Sequence, residues 1–292
     1  MATRPTLPYF APPESLPAPL PRIASILAST RFFPSYQVGS KVVHFNQYYV
    51  VKYGTRVRLQ EGENMLFVRQ ATNIRVPTVY ALFYDEKTSY NFIIQEYIPG
   101  RNLLPHWETL DESGKEAIVA QLRQYFDQLR SLPSPGYFGG VWGQRTLDLY
   151  LGSGMDASKT SDEHKPLPCA TEKEWVDNMI AAGKAVDAFN KYPNLVGFFG
   201  HAFHTIFQGH RPVFSHTDLH PTNVLICDDG TVALIDWGRA GWYPSFWEYC
   251  CLMAPLGHDC DFDSWIPRFL DEYLVELGWM YKFREWILIS CL

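Results

Sequence analysis

Three polar side chains in the stretch FSHTDLHPTNVLICDDGTVALIDW, residues 214–237, are spaced so that they could form a metal site or take part in proton transfer. They are those of Asp218, Asn223 and Asp236. Between the last two, β-rich runs flank Asp-Asp-Gly, which predicts an antiparallel hairpin with a tight turn at Gly230. A hairpin brings the chain back to the edge where it began, so we expect Asn223 and Asp236 to be neighbours. Amide and carboxylate oxygens are hard ligands that suit Mg²⁺. The stretch therefore predicts a metal site.

Asp218 lies five residues before Asn223, on a turn held by Pro221. We expect its carboxylate to project into the same space, where it can accept the proton of an attacking hydroxyl. Considered singly, each of the three polar residues has a simpler explanation as a turn residue or a strand end. Considered together, with the hairpin to make them converge, they favour a functional site with a metal ion and a proton acceptor.

The same stretch offers a different chemistry, because His216 and His220 are four residues apart with an acidic residue between them. That pattern superficially resembles a zinc-dependent hydrolase, which needs both imidazoles on one helical face. Pro221 and the β-rich run that follows disfavour a helix there. Zinc is therefore the less favoured alternative, and we expect His216 and His220 to bond the loop backbone. Three upstream histidines are expected on a helix surface: His201, His204 and His210.

The segments HTDLHPTNVLI and LIDWGRAGWYP resemble the catalytic loop and the second metal-binding segment of the aminoglycoside phosphotransferase family and its choline-kinase-like relatives, within the protein-kinase-like superfamily. The resemblance implies Asp218 as catalytic base, Asn223 and Asp236 as Mg²⁺ ligands, and His216 as a residue that shapes the loop. It implies ATP and Mg²⁺ as cofactors and a small-molecule hydroxyl as the acceptor. A catalytically inactive, nucleotide-binding regulator with the same fold is the alternative.

The resemblance also assigns a nucleotide-binding half. Lys52, at the end of YYVVKYG, matches the strand lysine of this fold, and an acidic residue of the next helix would pair with it. Glu61 is favoured because it shares a helical face with Met65 and Val68, and Glu63 is the alternative.

Two further contacts with the nucleotide are expected on the same resemblance. The turn over the phosphates has Gly39 as its one glycine, and phosphate contacts are expected near Ser40. Adenine is expected to meet the backbone of the inter-lobe segment, at Glu96, Tyr97 and Ile98.

The surrounding pattern predicts an α+β chain, with a small antiparallel-sheet lobe that holds one main helix and a larger, mainly helical lobe. The resemblance implies that these form a two-lobed protein-kinase-like fold. We predict a Pro-rich arm at 1–22, laid on the fold or disordered, a nucleotide-binding lobe at 23–99, and a helical lobe with the catalytic loop and substrate site at 100–292. Hairpin strands are expected at 41–45 and 48–52. Helices are expected at 113–133, 172–189 and 262–279.

The composition of the chain limits the classes of molecule that it is expected to bind. A net charge of -6 and a pI near 5.8 argue against nucleic-acid binding, which needs clustered Lys and Arg. Six scattered cysteines indicate no disulfide framework, and no apolar run is long enough to cross a bilayer. We therefore expect a cytoplasmic protein that does not bind membranes, and the oligomeric state is left open. Acidic residues at Asp259, Asp261 and Asp263 would either attract a cationic acceptor or form a solvated face.

Overall fold

The computed structural model describes residues 3–33, 39–146, 168–184, 193–253 and 260–289. Contacts divide the chain into two compact units. The first consists of Met1–Leu104 with Thr222–Gly238, and the second of Pro105–Pro221 with Arg239–Leu292. The hairpin that carries Asn223 and Asp236 therefore belongs to the same unit as the N-terminal sheet. The domain boundaries at 22 and 99 stay a prediction.

The described strands are, in chain order, β1 (Tyr9–Phe10), β2 (Phe32–Phe33), β3 (Lys41–His44), β4 (Tyr49–Gly54), β5 (Val79–Asp85), β6 (Tyr90–Glu96), β7 (Gly100–Asn102), β8 (Pro212–Ser215), β9 (Val224–Cys227), β10 (Val232–Leu234) and β11 (Gly241–Pro244). The described α-helices are α1 (Ile23–Leu27), α2 (Gln60–Ala71), α3 (Leu103–His106), α4 (Glu112–Ser131), α5 (Glu172–Lys184), α6 (Pro193–Ile206), α7 (Trp247–Met253) and α8 (Leu274–Ile289). None of these helices combines the length and apolar composition needed to span a bilayer.

A six-stranded antiparallel sheet forms the first unit, in the order β1-β5-β6-β4-β3-β2. Tyr49, Val51 and Tyr53 alternate along β4 and are buried in an apolar cluster on one face of the sheet. Period-two alternation then places Lys52 on the opposite face. The predicted hairpin of β3 and β4 is confirmed, and its turn is closed by Asn46, whose side-chain oxygen accepts the N–H groups of residues 48 and 49.

The Pro-rich arm lies on this sheet. Tyr9 pairs with Leu82 of β5, and the Ala11 N–H donates to the Tyr80 carbonyl at 2.9 Å. Three further apolar residues of the arm pack against the buried cluster: Leu16, Ala18 and Leu20. Because β1 pairs with β5, this edge of the sheet is covered by the chain itself, which removes a row of open hydrogen-bonding groups.

The hairpin of β9 and β10 is confirmed in register and in turn chemistry. Val224 pairs with Leu234, and Gly230 has a φ of 78°, a left-handed conformation that glycine adopts without strain. On the other side of β9, strand β7 completes a three-stranded sheet. Both ends of the hairpin are thereby fixed within the first unit.

The second unit is mainly helical. Its helix α4 buries the predicted apolar face, formed by Ile118, Leu122, Tyr125, Phe126 and Leu129. The chain around the predicted catalytic loop forms a two-stranded antiparallel sheet of β8 and β11. Together with the N-terminal antiparallel sheet and its main helix α2, this arrangement confirms the predicted α+β class.

One predicted helix is wrong in its first half. Within 262–279, the structure has 3₁₀ turns over Asp261–Arg268, and α8 begins only at Leu274. Pro267 lies inside the first segment, where its missing N–H and its ring are incompatible with a continuous α-helix. The predicted helix at 172–189 begins as expected, and residues 185–189 lie outside the described residues.

Candidate functional site

Lys52 is the centre of a charged group in the first unit. Its Nζ lies 2.6 Å from Oε2 of Glu61 and 3.2 Å from Oδ1 of Asp236, and its side chain is 14% exposed. The three residues come from β4, from the first turn of α2 and from the segment after β10. Strand register fixes Lys52 between Val42 and Ile93, so its ammonium can point only away from the buried cluster.

Helix α2 brings Glu61 to this lysine because it packs closely on the sheet. A Cβ added at Gly62 would lie 2.1 Å from a methyl group of Leu82, so glycine is needed for this approach. The alternative acidic residue, Glu63, points elsewhere and accepts a hydrogen bond from Arg4 of the N-terminal arm at 2.9 Å. Of the two candidates, Glu61 is therefore the one that pairs with Lys52.

The two carboxylates decide the charge of the lysine. Burial by itself lowers the pKa of Lys52, but the attraction of Glu61 and Asp236 outweighs burial and holds the pKa above its ordinary value. The ammonium therefore stays protonated at physiological pH. A fixed positive charge on this face of the sheet is suited to binding an anionic group such as a phosphate.

Asp236 follows β10 in a left-handed conformation, with a φ of 63°. The N–H of its neighbour Ile235 donates to the carbonyl of Asn223 at 3.0 Å, so the two predicted metal ligands lie on adjacent, hydrogen-bonded stretches of backbone. The Asp236 side chain is 41% exposed and engages Lys52 through one carboxylate oxygen. An amide and a partly open carboxylate form a donor set that fits Mg²⁺.

Ser40 is buried beside Gly39, in the turn that the resemblance assigned to the phosphates, and a phosphate contact there stays a prediction. The carbonyl of Gly39 accepts the N–H of Arg56 at 3.2 Å. A Cβ at Gly54 would lie 2.1 Å from that same carbonyl oxygen, and Gly54 has a φ of 143°. The turn therefore depends on glycine at position 54 for its close contact with β4.

In the predicted adenine segment, the Glu96 side chain and the N–H groups of Glu96 and Tyr97 form hydrogen bonds within the protein. Glu96 accepts hydrogen bonds from Arg75 and from Thr78, and the N–H of Glu96 donates to the Thr78 carbonyl at 2.8 Å. The Tyr97 N–H donates to the Tyr48 carbonyl at 2.8 Å. Glu96 therefore acts here as a link between strands. A backbone contact of adenine at Glu96, Tyr97 or Ile98 stays a prediction.

In the second unit, Asp218 is paired with Arg239. Nη1 of Arg239 donates to Oδ1 of Asp218 at 2.9 Å, and both side chains are about one-third exposed. The backbone of Arg239 is held in turn, because its carbonyl accepts the hydroxyls of Thr217 at 3.0 Å and Tyr243 at 2.7 Å. Sequence reasoning missed Arg239, although a basic residue three positions after Asp236, the predicted metal ligand, in LIDWGRAG was a visible signal.

Glu248 is a second residue that sequence reasoning missed. Its carboxylate accepts the backbone N–H of His216 at 2.6 Å and that of Thr217 at 3.1 Å, and it is fully buried. Burial raises the pKa of Glu248, while the neighbouring side chains of His216 and Arg130 and the two backbone N–H donors act to lower it. Thr217 adopts a φ of 63°, which is rare for a β-branched residue, so Glu248 holds a strained backbone immediately before Asp218. One acidic residue within the aromatic run SFWEYCC was its only signal.

Three of the histidines form hydrogen bonds or ion pairs within the second unit. Nδ1 of His216 accepts the backbone N–H of Asp218 at 3.3 Å, as expected of a residue that shapes the loop. His204 pairs with Asp177, and His210 lies between Glu172 and Glu276. His210 follows α6 and is largely buried, so the expectation of a surface position is wrong for it. Within the described residues, no group of three or more His, Cys, Asp or Glu side chains is arranged to hold a metal ion, and the zinc alternative gains no support.

The acidic residues considered for a cationic acceptor are partly committed to packing. Asp261 accepts hydrogen bonds from Lys115 at 2.8 Å and from the Trp107 indole at 2.6 Å. This carboxylate therefore ties α4 to the 3₁₀ segment of the second unit. Asp259 lies outside the described residues.

Comparison with protein families gives one match: the model described as the phosphotransferase enzyme family matches residues 52–286. A search of curated proteins finds no match. The matched span includes Lys52, Asp218, Asn223, Asp236, Arg239 and Glu248.

Solved structures with a similar fold include three aminoglycoside phosphotransferases. The gentamicin complex of APH(2")-IIa is 16% identical, with 89% of each chain covered and a TM-score of 0.56. The ADP-bound APH(2'')-Ib is 14% identical, with 89% of this chain and 80% of that chain covered and a TM-score of 0.51. Spectinomycin phosphotransferase APH(9)-Ia, in complex with ADP and spectinomycin, is 13% identical, with 89% and 80% covered and a TM-score of 0.50. These likenesses confirm the predicted protein-kinase-like fold.

Proposed function

Because this chain belongs to the phosphotransferase enzyme family, we propose that it transfers the γ-phosphate of ATP to a hydroxyl group of a small molecule, with Mg²⁺ as the second cofactor. The observation that carries the proposal is the pairing of Lys52 with both Glu61 and Asp236. A buried lysine with two carboxylate partners is a costly arrangement for stability alone. It is suited to a site that must present a protonated ammonium to phosphate oxygens.

The residues of the first unit would act on the nucleotide. Lys52 would donate hydrogen bonds to phosphate oxygens, and Glu61 would keep its ammonium in place while it does so. Asn223 and Asp236 would hold Mg²⁺, which when bound neutralises charge on the phosphates. The Asp236 side chain is 41% exposed, which supports a contact with the metal in this role.

The residues of the second unit would act on the acceptor. Asp218 would take the proton of the attacking hydroxyl and orient its oxygen for in-line transfer. Arg239 donates to Oδ1 of Asp218 and would orient this carboxylate toward the acceptor. Glu248 would act through the backbone, because it fixes the residues immediately before Asp218.

The acceptor class is proposed from the relatives. Structures of similar fold are named as complexes with streptomycin, gentamicin and spectinomycin, which supports an aminoglycoside-like compound, an amino alcohol or another hydroxylated metabolite for this chain. Nucleotide use is supported in the same way by the complexes with ATP and ADP.

The test is a nucleoside-diphosphate release assay on amino sugars, choline-like amines and other small alcohols. Each acceptor is tested with ATP and with GTP, with Mg²⁺ and with a chelator, on the wild type and on Asp218→Ala. We expect turnover that requires both Mg²⁺ and Asp218. Nucleotide binding without turnover on any acceptor would favour the inactive regulator. Absence of Mg²⁺-dependent nucleotide binding would contradict the proposal as a whole.

A further inference from the structure

A buried amide connects α2 to the segment that carries Asp236. Asn64 has no exposed surface, and its Nδ2 donates to the backbone carbonyl of Trp237 at 2.8 Å. The two residues are 173 positions apart in the chain. Asn64 follows Glu61 by three residues, so both lie on the same face of α2. One face of one helix therefore contacts both Lys52 and the residue after Asp236.

The carbonyl that Asn64 holds belongs to the peptide between Trp237 and Gly238. Gly238 lies directly against the charged group, since a Cβ added there would be 3.6 Å from Oδ1 of Asp236 and 3.7 Å from Oε2 of Glu61. The orientation of this peptide therefore bears on where both carboxylates lie. A rotation of the Trp237 carbonyl away from Asn64 would move the backbone that borders them.

The rest of the segment is fixed on its N-terminal side. The Leu234 N–H donates to the Arg75 carbonyl at 3.0 Å, and the indole N–H of Trp237 donates to the Leu234 carbonyl at 3.0 Å. Asp236, between these anchors, has the left-handed φ of 63° that a non-glycine residue keeps only when its surroundings impose it. The bond from Asn64 is a further anchor, at the backbone carbonyl of Trp237 on the C-terminal side of Asp236.

We propose that Asn64 is a positioning residue. Its hydrogen bond to Trp237 fixes residues 235–238 against α2 and so keeps the Asp236 carboxylate beside the Lys52–Glu61 pair. The inference deepens the proposed function and rests on it for its catalytic consequence. If Asp236 binds Mg²⁺, loss of the Asn64 amide weakens metal-dependent nucleotide binding without removing any ligand. Partners that orient metal ligands typically contribute about 10-fold to 100-fold to affinity.

The experiment compares Asn64→Leu, which keeps the approximate volume but removes the donor, with Val68→Ala. Val68 is also fully buried on α2 and serves as the matched control for loss of packing. Hydrogen–deuterium exchange of peptides covering 234–240 is measured on the nucleotide-free proteins. Affinity for ATP is measured by calorimetry with Mg²⁺ and with a chelator. Asn64→Ala gives the same comparison if the leucine variant does not fold.

We expect faster exchange at 235–239 in the Asn64 variant and at least about a 10-fold loss of Mg²⁺-dependent affinity, with metal-free affinity unchanged. The control should change neither. Equal effects in both variants would overturn the inference, because Asn64 would then act only through stability. A wild type without Mg²⁺-dependent binding would overturn the proposed function instead, and the exchange comparison would still decide whether Asn64 holds the segment.

Discussion

The ammonium of Lys52 lies 2.6 Å from the carboxylate of Glu61, and both side chains are largely buried. Removal of either residue should lower the free energy of unfolding, because it leaves the other residue as a buried charge without this partner. The pair thus joins β4 to α2 electrostatically and keeps the lysine charged. Because Glu61 supports the charge of Lys52, variants of the two residues can separate the contribution of the pair to stability from the proposed contribution of Lys52 to phosphate binding.

Replacement of Lys52 by Met should remove both stability and activity. The Glu61 carboxylate would be left buried beside no cation, at a cost of about 3–5 kcal/mol. Loss of a phosphate-binding cation should lower kcat by roughly 10²–10³-fold. The double variant Lys52→Met, Glu61→Leu should recover much of the free energy of unfolding, measured by urea titration, and none of the activity. Recovery of activity in the double variant would contradict a direct role for Lys52.

Replacement of Asp218 by Asn should lower kcat by roughly 10²–10⁴-fold and leave nucleotide affinity unchanged, because the amide cannot take the acceptor's proton. Arg239→Ala should also lower kcat, since Asp218 loses the guanidinium that orients it. The pair is partly exposed, so neither change should alter the free energy of unfolding by more than about 1 kcal/mol. Steady-state kinetics measures the changes in kcat, and denaturant titration measures the free energy of unfolding. The variant Arg239→Lys tests whether a positive charge alone is enough to orient Asp218.

Replacement of Glu248 by Ala should leave two buried backbone N–H groups, those of His216 and Thr217, without their acceptor. Each such loss costs about 1–3 kcal/mol, so a large drop in the melting temperature is expected. At temperatures where the variant remains folded, kcat should fall while KM for the nucleotide is kept. Glu248→Gln, which retains one acceptor oxygen, should be milder in both measurements. A fully active alanine variant would contradict the role assigned to Glu248.

Replacement of Gly54 by Ala should destabilise the protein more than the same change at Gly230. At Gly54 the new Cβ would lie 2.1 Å from the Gly39 carbonyl oxygen, and the left-handed φ adds strain. Gly230 also has a positive φ, 78°, but nothing lies within 4 Å of its added Cβ, so strain of roughly 1 kcal/mol is the whole expected cost there. Denaturant titration of the two variants compares a site that has both collision and strain with a site that has strain alone. Equal effects would mean that the turn at Gly39 relaxes.

The stability of the second unit should depend on pH through His210. Burial by itself lowers the pKa of this imidazole, but the carboxylates of Glu172 and Glu276 outweigh burial and raise it. A raised pKa means that the stabilisation is fully present below about pH 6.5, the ordinary value for histidine, and is lost as the pH rises through the folded-state pKa. His210→Gln should remove this part of the pH dependence of the melting temperature. His201→Gln, on the exposed face of α6, should not.

The hairpins and the main helices follow from local signals in the sequence. Asp-Asp-Gly at 228–230 and the β-rich runs around it specify the turn between β9 and β10 whatever surrounds them. The apolar spacing of α4 likewise selects the face that the structure buries. The misjudged region at 262–279 had the same helical periodicity, and there Pro267 overrides it through a missing backbone donor.

The sequence by itself also indicated the family, because Asp218, Asn223 and Asp236 lie within one short stretch and their spacing can be read directly. It could not reveal partners that are distant in the chain. The choice of Glu61 over Glu63 depends on Arg4, which takes the second carboxylate, and on how closely Gly62 lets α2 approach β5. The contacts of Asn64 with Trp237 and of Glu248 with the backbone before Asp218 join segments that no local pattern relates. Turns and apolar periodicity depend on residues that are neighbours in the chain, so the sequence shows them directly. The buried polar contacts form only when packing excludes water and brings a donor and an acceptor from distant segments together.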